Sequence, residues 1–383
     1  MNNRNFQYNE WAGPTTNGFD FLTANVALSG TVGDRYLMFG TIAAGINSGN
    51  IRASLVFNSG VYEYDHYIAV RDTLNDMYSC PMMFPRVLEG GETLELYIER
   101  DSGDVTARQA GVYAFRLLDN DVTSDNYFDD GGYTSSTTYA TVNTATKTFT
   151  VPTAGDYLFL CTATVSKNET TAAFNTRFVV DSVAYGDATM RMKTADKFLP
   201  YAAMVKLTLS AGSHTMSVEQ KVTSTGMAQC AYPSMVALCM ADWPQIHSHS
   251  TASDTSTTTG AWVDVDAMDS NFRLAEKESL ILSYGLFRRA VANIDVGVQT
   301  IHGSGPTTAQ ENRNEFIGLG IEAVHFSAAR INPTAGDYTI KQQLYNYAAG
   351  ISTIADCAIA VLQMADDSTV RIRGASILGA TIL

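Results

Sequence analysis

Paired carboxylates are the first residues in this chain whose types and spacing fit a reaction. Asp129–Asp130, Glu92 with Glu95, and the trio Asp264, Asp266 and Asp269 are the densest acidic clusters. A glycosidase needs two carboxyls held roughly 5–10 Å apart across a sugar cleft. In β-rich chains such clusters more often lie in solvated loops, and loops are expected at all three places. A second acidic set, Asp119, Asp121, Asp125, Asp129 and Asp130 in LLDNDVTSDNYFDDGG, has oxygens enough for calcium. It fails the helix–loop–helix calcium pattern, because Ser124 stands where the turn glycine is required and no Glu closes the loop. A polar connector is the preferred reading.

His247 and His249 are the histidine pair of interest. On an extended segment they point to the same side, which is the geometry for two imidazoles to share a metal. Exposed histidines in a connecting segment are the simpler expectation. Nucleophile patterns are missing: there is no Gly-x-Ser-x-Gly elbow. The stretch HGSGPTT at 302–308 has no lysine of a phosphate loop, so a hairpin connection is expected there. Aromatic residues near polar neighbours, Tyr62, Tyr64, Tyr67, Tyr127, Phe128 and Tyr133, form the remaining option: stacking on sugars or lining a protein interface. No catalytic, cofactor-binding or metal residue is assigned, and no cofactor is expected.

Five cysteines, Cys80, Cys161, Cys230, Cys239 and Cys357, fit no zinc or redox spacing. Cys161, Cys239 and Cys357 sit inside apolar runs, where cysteine acts as a small buried hydrophobe. They are expected to be reduced, in a chain folded in cytoplasm. The formal charge of −14 leaves no clustered cations for phosphates, Arg288–Arg289 being the one adjacent pair of note, so nucleic acid is not an expected partner. No window approaches the roughly 20 uninterrupted apolar residues of a membrane helix, and MNNRNFQYNEWAG does not read as a secretory signal. Such a chain is expected to stay where it is made or to leave the cell by lysis.

The elements that position these residues come from an internal repeat. TVGDRYLMFGTIAAG at 31–45, PTAGDYLFLCTATVS at 152–166 and EKESLILSYGLFRRA at 276–290 each place a polar turn before a run of large apolar residues. Three further blocks follow in the same order in each copy. The closing blocks are AGVYAFRLL at 110–118, YPSMVALCM at 232–240 and DCAIAVLQM at 356–364. Offsets agree: Tyr36 to Tyr157 is 157 − 36 = 121, Leu118 to Met240 is 240 − 118 = 122, and Met240 to Met364 is 364 − 240 = 124. Within each unit Thr, Val, Tyr, Phe and Ile dominate short runs, with turns about every 8–12 residues. The expected fold class is all-β: three tandem jelly-roll β-sandwich domains repeating at about 120 residues. The expected division is an N-terminal arm at 1–19 carrying Phe6, Tyr8 and Trp11, sandwiches at 20–118 and 119–243, a Ser/Thr-rich linker at 244–261, a third sandwich at 262–364, and a C-terminal strand or tail at 365–383.

The middle unit resembles the tumour necrosis factor and complement globular-head superfamily. Its start pattern, Phe-x-Val-Pro-x-x-Gly-x-Tyr, is carried by Phe149, Val151, Pro152, Gly155 and Tyr157. The third unit departs from it, with Ala275 and Glu276 where proline and threonine stood. The resemblance implies a jelly roll and trimeric assembly. Together these readings predict a non-enzymatic structural protein of a virus particle, decorating or cementing a tailed-phage capsid as a homotrimer. The expected partners are itself and the major capsid or another virion protein. A glycan- or receptor-binding fibre module, with host-surface glycan as partner, is the alternative, and a polysaccharide-degrading enzyme comes third.

Overall fold

The computed structural model describes residues 6–364 apart from 12–14, 18–20, 47–49, 59–62, 72–76, 101–104, 125–131, 170–171, 192–197, 244, 252–254, 258–259, 266–269, 290–295, 304–308, 315–321 and 347–350. Strands dominate it. The first group is β1 (Gln7–Trp11), β2 (Thr15–Asn17), β3 (Phe21–Ala27), β4 (Arg35–Ile46), β5 (Asn50–Asn58), β6 (Glu63–Arg71), β7 (Met77–Val87), β8 (Thr93–Arg100) and β9 (Val105–Arg116). The second is β10 (Val122–Thr123), β11 (Tyr133–Thr134), β12 (Ala140–Val151), β13 (Gly155–Lys167), β14 (Phe174–Val180), β15 (Val183–Met190), β16 (Phe198–Leu209), β17 (Gly212–Val222) and β18 (Ala228–Cys239). One 3-10 turn follows at Met240–Asp242. The third group is β19 (Gln245–Thr251), β20 (Thr255–Thr257), β21 (Val263–Asp264), β22 (Ser270–Leu274), β23 (Ser279–Arg289), β24 (Val296–Gly303), β25 (Ala309–Asn314), β26 (Glu322–Ile331), β27 (Gly336–Asn346) and β28 (Ser352–Gln363). Among the described residues there is no α-helix.

Every strand pairing is antiparallel, and the same pair of sheets is built three times. One sheet runs β1-β9-β4-β7 in the first unit, β10-β18-β13-β16 in the second and β19-β28-β23-β26 in the third. The facing sheet runs β3-β8-β5-β6, β12-β17-β14-β15 and β21-β27-β24-β25. Apart from β5–β6, β14–β15 and β24–β25, which pair within one sheet, the main strands cross in succession between the two sheets, which makes each unit a jelly roll. One irregularity recurs in all three. The pairings β4–β9, β13–β18 and β23–β28 shift register between Thr41 and Ala43, between Thr162 and Thr164, and between Tyr284 and Leu286 respectively. A bulge at this place bends the strand and sharpens its twist in each copy.

The two sheets of a unit differ in how their faces are covered. β17 alternates buried residues with exposed or half-buried ones, and the second half of β27 alternates buried and half-buried ones, as a sheet with one wetter face does. β13 instead is buried without interruption from Tyr157 to Lys167. In β4, Tyr36, Met38 and Ile42 enter the core of their own unit, while Leu37 and Phe39 join a second core shared with the other units. In β23, Ile281 and Phe287 face inward and Leu280, Leu282, Tyr284 and Leu286 face the shared core. Strands covered on both sides read as continuous apolar runs, and RYLMF, YLFLC and LILSYGLF are such runs.

Two stretches without strong strand composition form strands at the sheet edges. The arm at 1–19 supplies β1 and β2, both paired with β9, and its Tyr8 lies opposite Tyr113. The Ser/Thr-rich stretch read as a linker supplies β19 and β20, both paired with β28. In each case the last strand of the unit offers an open ladder, and pairing with it satisfies backbone groups that a free connector leaves to water. The C-terminal segment 365–383 lies outside the described residues.

Candidate interaction surface

Among the described residues one hydrophobic cluster joins the second unit's core to residues of the first and third units, and equivalent strands meet at each junction. The edge strands β6 and β7 of the first unit lie against β16 of the second, with β7 also meeting β13 and β18. The equivalent edge of the second unit, β15 and β16, meets β26 of the third, and β16 also touches β19 and β23. The third unit's edge, β25 and β26, returns to β7, β4 and β9 of the first.

Named contacts fix each junction. Between the third and first units, the Phe39 and Phe326 rings lie 5.5 Å apart, and the Tyr113 hydroxyl donates to the Ala328 carbonyl at 3.0 Å. The Ser79 hydroxyl accepts from the Phe326 amide at 3.1 Å and donates to the Phe326 carbonyl. Arg330, held by Glu278 at 2.8 Å, places its guanidinium 4.1 Å from the centre of the Tyr8 ring. Between the second and third units, Gly186 adopts φ +60°, and a Cβ there would stand 2.7 Å from the Tyr284 hydroxyl oxygen. Only glycine takes this conformation cheaply and leaves room for that ring. Between the first and second units, Phe115 meets Trp243 edge-on at 5.4 Å, and Arg35 donates to the Thr123 hydroxyl at 2.7 Å.

Beside this last junction is a cleft of about 410 Å³ lined by Arg35, Arg86, Lys147, Glu89, Asp121 and Thr123 among others. Its charges are mixed: Arg35 donates to Thr123, Arg86 lies 5.7 Å from the centre of the Phe57 ring, and Asp121 accepts from the backbone amides of Leu118 and Cys239, each at 2.9 Å. Asp121 thus clamps the crossing from the first unit to the second. That explains one member of the acidic stretch weighed for calcium without a metal.

The other carboxylates picked out by spacing hold local structure. Glu92 is buried and accepts from the amides of Glu89 and Gly90, the latter at 2.6 Å, closing the turn before β8. Glu95 accepts from the Thr93 and Tyr97 hydroxyls at 3.0 and 2.6 Å. Partial burial pushes the Asp264 carboxyl up, and hydrogen bonds from Lys341 at 2.7 Å and Gln343 at 2.6 Å outweigh it, holding it below its ordinary range. Asp125, Asp129, Asp130, Asp266 and Asp269 lie outside the described residues. Among the described residues no group of three His, Cys, Asp or Glu side chains is close enough to hold a metal.

His247 and His249 lie on β19, opposite Val361 and Ile359, two residues apart and so on one face of the strand. A metal reading of their side chains falls outside the described residues. Tyr62, Tyr127 and Phe128 do as well, and so do the side chains of Tyr64 and Tyr67 on β6. Tyr133 is described and 63% exposed.

Two histidines that spacing did not flag have defined roles. His214 Nδ1 lies 2.5 Å from an Asp181 carboxylate oxygen and Nε2 lies 2.8 Å from the Ser210 carbonyl. The hydrogen bond to Asp181 raises the pKa of this imidazole above its usual value. The pair resembles the base and orienter of a triad, but Nε2 faces a carbonyl oxygen, so it has no nucleophile to activate. His325 on β26 is fully buried, with neither ring nitrogen hydrogen-bonded and the Phe287 ring 6.1 Å away. Burial pushes its pKa down to about 3, so it is neutral at physiological pH. All five cysteines are buried and unbridged, and burial drives the Cys80 and Cys230 thiols up to about 12. Neither Cys80 nor Cys230 is therefore a reactive thiolate at neutral pH.

Phe39, Ser79, Tyr113, Gly186, Tyr284 and Phe326, the residues that make the junctions, were not picked out by motif or spacing. For Phe39 and Tyr284 the signal is the largely apolar run of β4 and of β23; the other four lie on strands without one.

No family model and no curated protein matches the chain. Among solved structures it is similar to one described as the atomic structure of Sulfolobus turreted icosahedral virus, at 11% identity over 93% of this chain and 92% of that one, with a TM-score of 0.21. A structure described as the triple jelly roll fold and turret assembly in an archaeal virus matches at 10% identity, 93% and 91% coverage and TM-score 0.21. Infectious bursal disease virus, strain Gt, matches at 10% identity, 95% and 73% coverage and TM-score 0.26. At such scores these likenesses carry no functional argument, and the architecture stands on its own strand pairing.

Proposed function

We propose that this chain is a non-enzymatic structural protein of a virus particle, displayed on the outer surface of a tailed-phage capsid that it decorates or cements. The observation that carries this reading is where the chain places its specific contacts. Three jelly rolls cover one another's sheets, and Glu92, Asp121, Asp264, Asp181 and His214 hold turns, crossings and strand ends. A body whose specific contacts serve packing suits a building block, and its partner is the major capsid or another virion protein. The buried, unbridged cysteines support synthesis in a reducing host cytoplasm.

The test is addition of the purified chain to particles stripped of it, followed by sedimentation and light scattering. Saturable rebinding is the expected result, and a chain that stays in the supernatant at all concentrations removes the decoration reading. A homotrimer of the whole chain, the assembly expected from the sequence, competes here with a single chain forming its own threefold body. A glycan-binding fibre module is the second reading, favoured by Tyr133 standing exposed beside the second unit. A glycan array without hits counts against it.

A further inference from the structure

We infer that the chain is its own trimer: the three jelly rolls occupy the three positions of a closed, approximately threefold ring, and the protein works as a monomer. This is independent of the virion reading and concerns how the molecule is assembled.

The contacts have a direction. Each unit gives an edge (β6 and β7, β15 and β16, or β25 and β26) and receives its neighbour's edge on the sheet that contains β4 and β9, β13 and β18, or β23 and β28. The first gives to the second, the second to the third, and the third to the first. Such a head-to-tail interface either closes into a ring or propagates as a filament, depending on its rotation. Here it closes after three units. Each giving edge is then covered and each receiving sheet is occupied, so this interface offers no place for a second copy of the chain.

The packing at the junctions also differs from one to the next, as three identical chains around an exact axis do not allow. The recurrent bulge aligns Phe39, Leu160 and Leu282, each two residues before it, and their partners across the ladder are Met83, Met204 and Ala328. The smallest member, Ala328, accepts the Tyr113 hydroxyl on its carbonyl, and the neighbouring Phe326 packs on Phe39. The third unit therefore meets two aromatic residues of the first, Tyr113 through the carbonyl of a small residue and Phe39 through a ring. At another junction Gly186 of the second unit admits the Tyr284 ring of the third. Covalent linkage fixes the order of the units, so each junction is free to specialise in this way.

Size-exclusion chromatography with light scattering, run over a hundredfold range of protein concentration, reads the mass. Small-angle X-ray scattering on the same peak reads the shape. The expected result is 41.4 kDa at every concentration, with a radius of gyration of about 21 Å, that of a compact body of this length. A stable species at three times 41.4 kDa overturns the inference. A monomer with a radius well above that value and an elongated distance distribution overturns it too, because the third unit then does not return to the first. Neither measurement uses particles, so failure to rebind them bears on the proposed function alone.

Discussion

At the residue scale, the shared core and one unpartnered histidine make the sharpest demands. Phe326 fills the junction between the third and first units and packs on Phe39. Phe326→Ala removes most of a buried ring from between two sheets, which costs about 3–5 kcal/mol. The expected outcome is a lower denaturant midpoint, with faster amide exchange in both β7 and β26. Loss of protection in β26 alone would show that the first unit does not depend on this contact. Gly186→Ala forces a Cβ into the positive-φ region and against the Tyr284 hydroxyl. It should destabilise by about 1–3 kcal/mol, read as a drop in Tm. His325 titrates near 6.5 when unfolded and at about 3 when folded. The unfolded chain therefore takes up the proton first, and stability falls as the pH is lowered from 6.5 towards 3. With 1.36 kcal/mol per pH unit, the loss has an upper limit of about 5 kcal/mol. Urea midpoints measured down that range should fall less steeply for His325→Leu than for the parent. Equal slopes would mean that His325 is solvated or paired.

At the element scale, the β14–β15 hairpin shows how one turn gathers several demands. Asp181 and Ser182 have φ of 48° and 68°, the paired positive angles of a two-residue turn whose twist matches its strands. The Asp181 carboxylate also accepts from the Thr215 amide at 2.9 Å and pairs with His214, tying the turn to β17. Because His214 has a raised pKa when folded, its pairing contributes in full below pH 6.5 and is lost as the pH rises through that raised value. Asp181→Asn tolerates the same backbone but removes the charge. Its stability should therefore change less than the parent's above pH 6.5. Parallel profiles would show that solvent screens the pair completely, as the 40% exposure of the Asp181 side chain allows. The edge strands β1, β2, β19 and β20 show the opposite balance. Their own composition is weak, and the ladders offered by β9 and β28 decide their conformation.

At the scale of the whole molecule, one hydrophobic cluster takes residues from all three units, while the first and third keep smaller clusters of their own. Unfolding one unit therefore exposes apolar surface on both neighbours. Calorimetry should show a single transition whose calorimetric and van't Hoff enthalpies agree. Three separable transitions would mean that the units behave as independent beads and that the shared core adds little. A formal net charge of −14 works against edge-to-edge pairing with other molecules of the same charge.

The sequence by itself determined the fold class. Period-two runs such as GSHTMSVEQKV, turn glycines and the order of blocks specify antiparallel sandwiches, because a strand with one wet face must alternate. It also determined that Cys161, Cys239 and Cys357 are core residues, since each lies in a mostly apolar stretch. The unbroken runs in β4, β13 and β23 carried a further message, that both faces are covered, but a run has no way of naming what covers its second face. Only the tertiary structure decided that the cover is a neighbouring unit of the same chain, that Gly186 yields to Tyr284, and that Asp121 and Glu92 hold backbone amides. It alone turned an arm and a Ser/Thr-rich connector into strands. The physical reason is common to all of these. Alternation is a local property written in consecutive residues, whereas the partner of a buried face or an open ladder lies up to 250 positions away, as Ser79 and Phe326 do with 326 − 79 = 247.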